Sequence, residues 1–276
     1  MTAPKPPIPG PQSLIPDPHR IAILADIHGN TIALDAALAQ IEAAGGVDEY
    51  WLLGDYVAIG FDPVGALERI ATLPNALFVR GNTDRLAAGL SEMDAWIDEV
   101  KEDPAILPVL VQLNRSFAWT AGALAATGWS EWLAGLPLEQ RITLPDGRRV
   151  LLVHASPGTD DGEGIHPKRS DEALRELIAG AEADLIFIGH THAPLDRTVD
   201  GVRVVNPGSV GNPVLPDAGA CYALLETTSD GYHLTLEQAA YDKAAAIAAT
   251  EAVNHPAAVY IKSFLLGQRV PVWVEE

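Results

Sequence analysis

The chain reads as an α/β protein, and three observations carry that reading. Short continuous apolar runs alternate with stretches of helical period, the pattern of buried strands separated by helices. Each run delivers an aspartate, asparagine or histidine at or just past its end. Two Asp-Gly pairs in the C-terminal third separate strand-like segments, a strong hairpin signal.

The elements follow in order. Residues 1–18 carry Pro4, Pro6, Pro7, Pro9, Pro11, Pro16 and Pro18 and no apolar core. They read as an extended, partly disordered tail and not as a signal peptide. Residues 19–276 then read as a single domain. Ile21–Ala25 is a strand delivering Asp26, His28 and Asn30, and a helix follows from Thr31 to Ala44, stopped by Gly45-Gly46. Tyr50–Leu53 delivers Gly54-Asp55. Asp62-Pro63 opens a helix to about Thr72 as N-cap and first helical residue. Leu77–Val79 delivers Arg80-Gly81-Asn82-Thr83-Asp84.

From Arg85 the texture changes. Residues 86–136 read as a helical insert beside or over the sheet, with Trp96, Trp119, Trp129 and Trp132 as packing residues. Arg149–Val153 delivers His154, and Pro157 to Pro167 is a glycine- and acid-rich loop long enough to be a mobile rim. Ser170 caps a helix through Ala179. Leu185–Ile188 turns at Gly189 and presents His190 and His192. Hairpins turn at Asp200-Gly201 and Asp230-Gly231, and Asp242–Val253 and Ala257–Leu266 are terminal helices.

Composition narrows the function classes. Hydrophobic residues are 48% and charged residues 20%, a globular balance. No apolar run reaches the ~18–20 residues of a membrane span. The formal net charge of −19 is opposite to that of a general nucleic-acid binder, and an anionic substrate would need a local cation. The single cysteine, Cys221, excludes an intramolecular disulfide, in keeping with a cytoplasmic location. Neither Gly-x-Gly-x-x-Gly nor Gly-Lys-Ser/Thr follows the first strand, so neither dinucleotide binding nor a Walker loop is indicated.

Five strand ends therefore carry Asp26/His28, Asp55, Asn82, His154 and His190/His192. Each residue alone has a plain structural explanation: a cap, a turn, a bonded carbonyl. Together they fit parallel strands, which gather such termini along one edge. The donors are oxygen and nitrogen only, a set suited to Mn, Fe, Zn, Co or Ni. Seven donors are too many for one tetrahedral ion and natural for two ions sharing a carboxylate, a device that clamps phosphoryl oxygens and lowers the pKa of water.

Asp26-Ile-His28, Gly54-Asp55, Gly81-Asn82-Thr83-Asp84, His154 and Gly189-His-Thr-His192, in this order and spacing, resemble the calcineurin-like metallophosphoesterases. Asn206-Pro-Gly-Ser-Val-Gly211 and Tyr222–Glu226 look like the small bacterial phosphodiesterase branch of that family. The resemblance runs from about Arg20 to Glu226. It implies a four-layer α/β/β/α sandwich with a two-metal site at one edge. Asp26, His28 and His192 would hold the first metal, Asn82, His154 and His190 the second, and Asp55 would bridge them. A bridging hydroxide would attack phosphorus in line. Asp55, Asn82, Asp84 and His154 are then the catalytic set; Asp84 is an orienting carboxylate in the family motif, and beside Thr83 its role is open, with a bond to a backbone N–H as the alternative.

One position departs from the family pattern. Many members have histidine where this chain has Thr83, and a threonine hydroxyl is no proton donor of suitable pKa. The enzyme is then expected to favour activated leaving groups, or to draw an acid from His166 or Arg85. Asn30, Asn82, Thr83 and Arg85 are the candidate substrate contacts, and Asn30 has the alternative role of helix N-cap. The leading expectation is metal-dependent hydrolysis of a small phosphodiester. A phosphomonoesterase or protein phosphatase on the same scaffold, and a scaffold that has lost catalysis, are the alternatives.

Overall fold

The structure is a computed structural model. It describes residues 5–7, 15–89, 93–215 and 217–268. Strand β1 (His19–Leu24) leads to helix α1 (Thr31–Ala43), β2 (Glu49–Leu52) to α2 (Pro63–Ile70), and β3 (Ala76–Phe78) to α3 (Asn82–Ala87). The next segment holds α4 (Met93–Glu102), a 3-10 turn (Pro104–Ile106), α5 (Leu107–Thr127) and α6 (Ser130–Ala134). Then come β4 (Glu139–Thr143), β5 (Arg149–Val153), α7 (Asp171–Ile178) and β6 (Leu185–Phe187). Hairpins β7 (Leu195–Val199) with β8 (Val202–Asn206) and β9 (Ala220–Thr228) with β10 (Gly231–Ala239) precede α8 (Lys243–Ala252) and α9 (Ala258–Leu265).

Helix starts follow the capping residues. Asn30 Oδ1 accepts from Ala33 N at 3.1 Å, Asp62 Oδ1 from Gly65 N at 2.8 Å, and Ser170 Oγ from Ala173 N at 3.2 Å. Each satisfies one of the donors a helix leaves unpaired at its first turn.

The strands form two five-stranded sheets, ordered β10-β9-β1-β2-β3 and β4-β5-β6-β8-β7. β1, β2 and β3 run parallel in the first, and β5, β6 and β8 in the second. The sheets pack face to face. Ile21, Ile23, Trp51 and Leu77 from one interleave with Val150, Leu152, Leu185 and Phe187 from the other. Trp51 and Phe187 meet edge to face at 5.6 Å, worth about 0.5–1.5 kcal/mol beyond the area they bury. Alternate residues of the same strands, Ala22, Leu24, Leu52 and Phe78, face α1 and α2. Leu151, Val153 and Ile186 face α7. Four layers result, and central strands buried on both faces explain why they read as unbroken apolar runs.

Two segments differ from the sequence reading, and a third, the helical insert, packs Trp129 and Trp132 as expected. β4 carries no apolar run, because it is an edge strand: Gln140 and Ile142 are buried while Arg141 faces water. The segment read as a tail touches the domain at two places. Ile15 is buried and its N–H donates to Thr143 O at 3.2 Å, while the Trp132 indole donates to Pro6 O at 3.0 Å. Residues 1–4 and 8–14 of that tail lie outside the described residues. In the segment read as an insert, Trp129 and Trp132 are buried in the layer under the first sheet, Trp132 edge-on to Phe78 at 5.1 Å. Trp119 is half-buried against His255, and the side chain of Trp96 lies outside the described residues.

Candidate metal centre

The ends of β1, β2 and β3 and of β5 and β6 meet at one edge, where backbone hydrogen bonds lace their loops together. His28 N donates to Asp55 O at 2.9 Å, Asp26 N to Gly54 O at 3.1 Å, and Gly189 N to His154 O at 2.8 Å. Asp26, His28, Asp55, His190 and His192 all sit in the left-handed region, with φ of 55°, 50°, 56°, 66° and 58°. Each such residue costs about 1–3 kcal/mol and persists only where its surroundings enforce it, a concentration typical of functional sites.

Two glycines permit the closeness. A Cβ on Gly81 would lie 2.0 Å from Asp55 Oδ1 and 2.3 Å from Asp55 N. One on Gly54, at φ +91°, would lie 2.8 Å from His154 Nδ1. Both positions need a bare Cα so that the loops of β2 and β3 can touch.

Donor atoms of Asp26, His28, Asp55 and His192 lie within 4.8 Å of one another. His28 Nε2 is 3.0 Å from His192 Nε2 and 3.7 Å from Asp55 Oδ2. His192 Nε2 is 3.5 Å from Asp26 Oδ1. On the other side His154 Nε2 is 3.3 Å from Asp55 Oδ1, and the rings of His154 and His190 are 5.2 Å apart. Asp55 thus stands between two groups of imidazoles.

The second nitrogens fix the tautomers. His154 Nδ1 donates to Leu53 O at 2.6 Å, His192 Nδ1 to Asn212 O at 2.7 Å, and His190 Nε2 to Gly162 O at 2.7 Å. Each ring so held has one nitrogen left for a metal. Asp26 Oδ2, Asn82 Oδ1 and His154 Nε2 are buried and meet no hydrogen-bond partner. Orphaned buried donors and acceptors are costly. Cations would satisfy them, and the donor set fits divalent first-row metals.

Electrostatics agree. Burial lowers the pKa of His28, His190 and His192, the last to about 3, keeping their rings neutral. Burial and the charge of Asp55 raise Asp26 despite the opposing pull of His154. Burial would also raise Asp55, but His154 and His28 outweigh it and hold the carboxyl below its usual range. His154 moves the other way: burial opposes its charge, yet Asp55 lifts it to about 10. Asp55 is thus an anion with neutral His28, His190 and His192 near it and a proton held against it on His154, and a cation pair would take that proton's place.

Four other candidates are engaged elsewhere. Asn30 is the cap of α1, and its Nδ2 donates to Gly211 O at 2.9 Å, so both ends of the amide are taken. Thr83 is buried. Its hydroxyl donates to Val57 O at 3.0 Å and its N–H to Asp55 Oδ1 at 2.9 Å, so the hydroxyl orders a loop. Arg85 pairs with Asp160 and Asp161. These placements engage Asn30, Thr83 and Arg85 in contacts within the protein, and for Asn30 this is the N-cap role that stood beside substrate contact.

Asp84 accepts from the backbone N–H groups of Asp55 (2.8 Å), Tyr56 (2.9 Å), Val57 (3.3 Å) and Gly81 (3.0 Å). Burial and the Asp55 charge push its carboxyl up to about 7, against these donors. Its role is to shape the Asp55 loop rather than to meet a substrate. The sequence reading gave no part to Gly162, Ser209 or Asn212. Ser209 Oγ donates to Asp26 O and accepts from Asn212 N, which positions the carbonyl that holds His192. Backbone carbonyls leave no residue-type signal, so only the Asn206–Gly211 turn hinted at this support.

A sequence model of the calcineurin-like phosphoesterase superfamily domain matches residues 20–230. This chain belongs to that superfamily. It is 30% identical over 211 residues to an uncharacterized protein of Methanocaldococcus jannaschii, covering 70% of this chain and 76% of that protein. Its fold is similar to the crystal structure of a metallophosphoesterase from Sphaerobacter thermophilus, at 27% identity and a TM-score of 0.70, over 90% of this chain and 99% of that one. A symmetrical bis(5'-nucleosyl)-tetraphosphatase of Salmonella paratyphi C is 27% identical over 164 residues, 59% of this chain and 49% of that enzyme. Membership makes the chain a phosphoesterase, a hydrolase of a family that uses divalent metals.

Proposed function

We propose that this phosphoesterase hydrolyses small phosphodiesters or phosphoanhydrides with a stable anionic leaving group, using two divalent cations. The observation that carries the reading is the group of donor atoms of Asp26, His28, Asp55 and His192 within 4.8 Å of one another, with His154 on the other side of Asp55 and several buried atoms unpartnered. Asp26, His28 and His192 would hold one cation, Asn82, His154 and His190 the other, and Asp55 both. Bound there, a cation pair would polarise phosphoryl oxygens and supply a nucleophile near neutral pH.

The chain's own residues orient this centre. Leu53 O and Asn212 O hold the rings of His154 and His192, and Asp84 holds the loop of Asp55. Thr83 gives its proton to Val57 O and supplies none to a leaving group. Substrates whose leaving group departs as a stable anion therefore suit the site. The likeness to a nucleoside tetraphosphatase supports that class.

The test is hydrolysis of bis-p-nitrophenyl phosphate and p-nitrophenyl phosphate by the full chain supplied with Mn²⁺. Faster turnover of the diester, lost with chelator, is expected. Turnover of the monoester alone would overturn the diester preference, and no metal-stimulated turnover of either would overturn the hydrolytic reading.

A further inference from the structure

We infer that Asp160 is a positioning residue for the second cation, and the inference rests on the two-cation reading above. Asp160 is 6% exposed and accepts from two guanidinium groups, Arg80 Nε at 2.9 Å and Arg85 Nε at 3.1 Å. Those arginines flank Asn82 in sequence, one at the tip of β3 and one in the first turns of α3. Two residues beyond Asp160, Gly162 O accepts from His190 Nε2 at 2.7 Å. Gly164, at φ +62°, lies so close to the same ring that a Cβ there would be 2.6 Å from His190 Cδ2.

Residues 160–164 therefore join the Asn82 segment of the first sheet to the His190 ring of the second. The His190 ring is 5.2 Å from that of His154, the two-cation reading assigns Asn82 to the same half-site, and Asn82 Oδ1 is one of the buried atoms that meet no partner. The other half-site has a different support, the Ser209–Asn212 turn under His192. The loop read from sequence as a mobile rim is tied down at both ends of this span. A buried carboxylate between two fixed guanidiniums sets distance as well as charge, because both bonds constrain where the loop can lie. The second cation should then depend on Asp160 while the first does not.

Charge alone predicts something else, and this makes the inference testable. Removing Asp160 takes a negative charge from beside the site, which weakens any nearby cation. Removing Arg80 and Arg85 takes away positive charge, which strengthens one. Positioning gives the same sign for both changes.

Metal-stripped full chain, Asp160→Asn, and the double variant Arg80→Gln/Arg85→Gln would be titrated with Mn²⁺ by calorimetry, and with Co²⁺ by visible absorption. Circular dichroism would verify folding. The wild type is expected to take up two equivalents. In both variants the second equivalent should weaken about tenfold or more, the usual scale for losing a supporting contact, with the first within about twofold. Should Asp160→Asn fail to fold, the arginine variant carries the test alone, since a tighter or unchanged second equivalent there overturns the inference. Opposite shifts in the two variants, or none, also overturn it. A wild-type chain binding fewer than two cations overturns the two-cation reading and this inference together, whereas two cations with unaltered variants overturn this inference alone.

Discussion

His28 and His192, 164 residues apart in the chain, bring their Nε2 atoms to within 3.0 Å of each other. His192 spends its only proton on Asn212 O, so its Nε2 faces His28 as a lone pair. Either His28 donates a proton across that gap or a cation takes the proton's place. A cation that binds only the folded chain stabilises it by mass action, about 2.7 kcal/mol at a hundred times its Kd. Mn²⁺ should accordingly raise the melting temperature, chelator should reverse the rise, and His192→Ala should remove most of it. Differential scanning fluorimetry makes the comparison, and identical melting of wild type with and without metal would count against cation binding at this pair.

Asp55→Asn keeps the oxygen that accepts from Thr83 N and removes the charge between the two imidazole groups. The fold should persist. Metal-stimulated kcat/KM should fall about 100-fold or more, equivalent to roughly 2.7 kcal/mol of transition-state stabilisation. Undiminished turnover would show that the bridge lies elsewhere.

Asp84→Asn tests the buried support of that loop. The wild-type carboxylate accepts four backbone N–H groups. An amide presents an NH₂ to some of those donors and leaves them unsatisfied, at about 1–3 kcal/mol each. Urea denaturation should show a loss of at least about 2 kcal/mol. A midpoint equal to wild type would mean that the N–H groups find other acceptors.

Gly81→Ala places a Cβ 2.0 Å from Asp55 Oδ1, with backbone also in the way. The loops of β2 and β3 must separate, so cation uptake should collapse even where the sheets still form. Elemental analysis of the purified variant reads this directly, and full metal content would refute the proposed closeness.

His255 supplies a pH dependence away from the cation site. Its ring packs at 4.6 Å on Trp119, and burial lowers its pKa to about 4 from the ordinary value of about 6.5. Between those values the unfolded chain binds a proton that the folded chain does not. This contribution is therefore intact above about pH 6.5 and is lost as pH falls towards 4. His255→Phe keeps an aromatic ring there and removes the proton. Its denaturation midpoint should fall less than that of wild type between pH 7 and pH 4.5, and parallel profiles would exclude the effect.

Much of this architecture is legible in residue order. Ile21–Ala25 and Arg149–Val153 read as buried strands because continuous apolar runs have no other soluble home, and Asn30, Asp62 and Ser170 announce helix starts through their side-chain chemistry. β4 escaped because an edge strand with one wet face shows only weak alternation across five residues. Thr83, Arg85 and Asn30 were ambiguous for a related reason: a polar side chain beside a site motif looks the same in sequence whether it faces a ligand or a neighbouring loop.

Sequence alone determined which residue types stand at which strand ends, and hence the α/β class and the oxygen-and-nitrogen donor set. Tertiary structure alone decided how those ends are used. Two sheets deliver them, as the resemblance to a four-layer sandwich implied, and left-handed backbone at Asp26, His28, Asp55, His190 and His192 aims them. Carbonyls of Leu53, Gly162 and Asn212 then choose each tautomer. The physical reason is that every residue carries the same carbonyl and N–H. Which of them meets a given imidazole depends on packing between segments 20 to 101 residues apart, and local sequence holds no record of it.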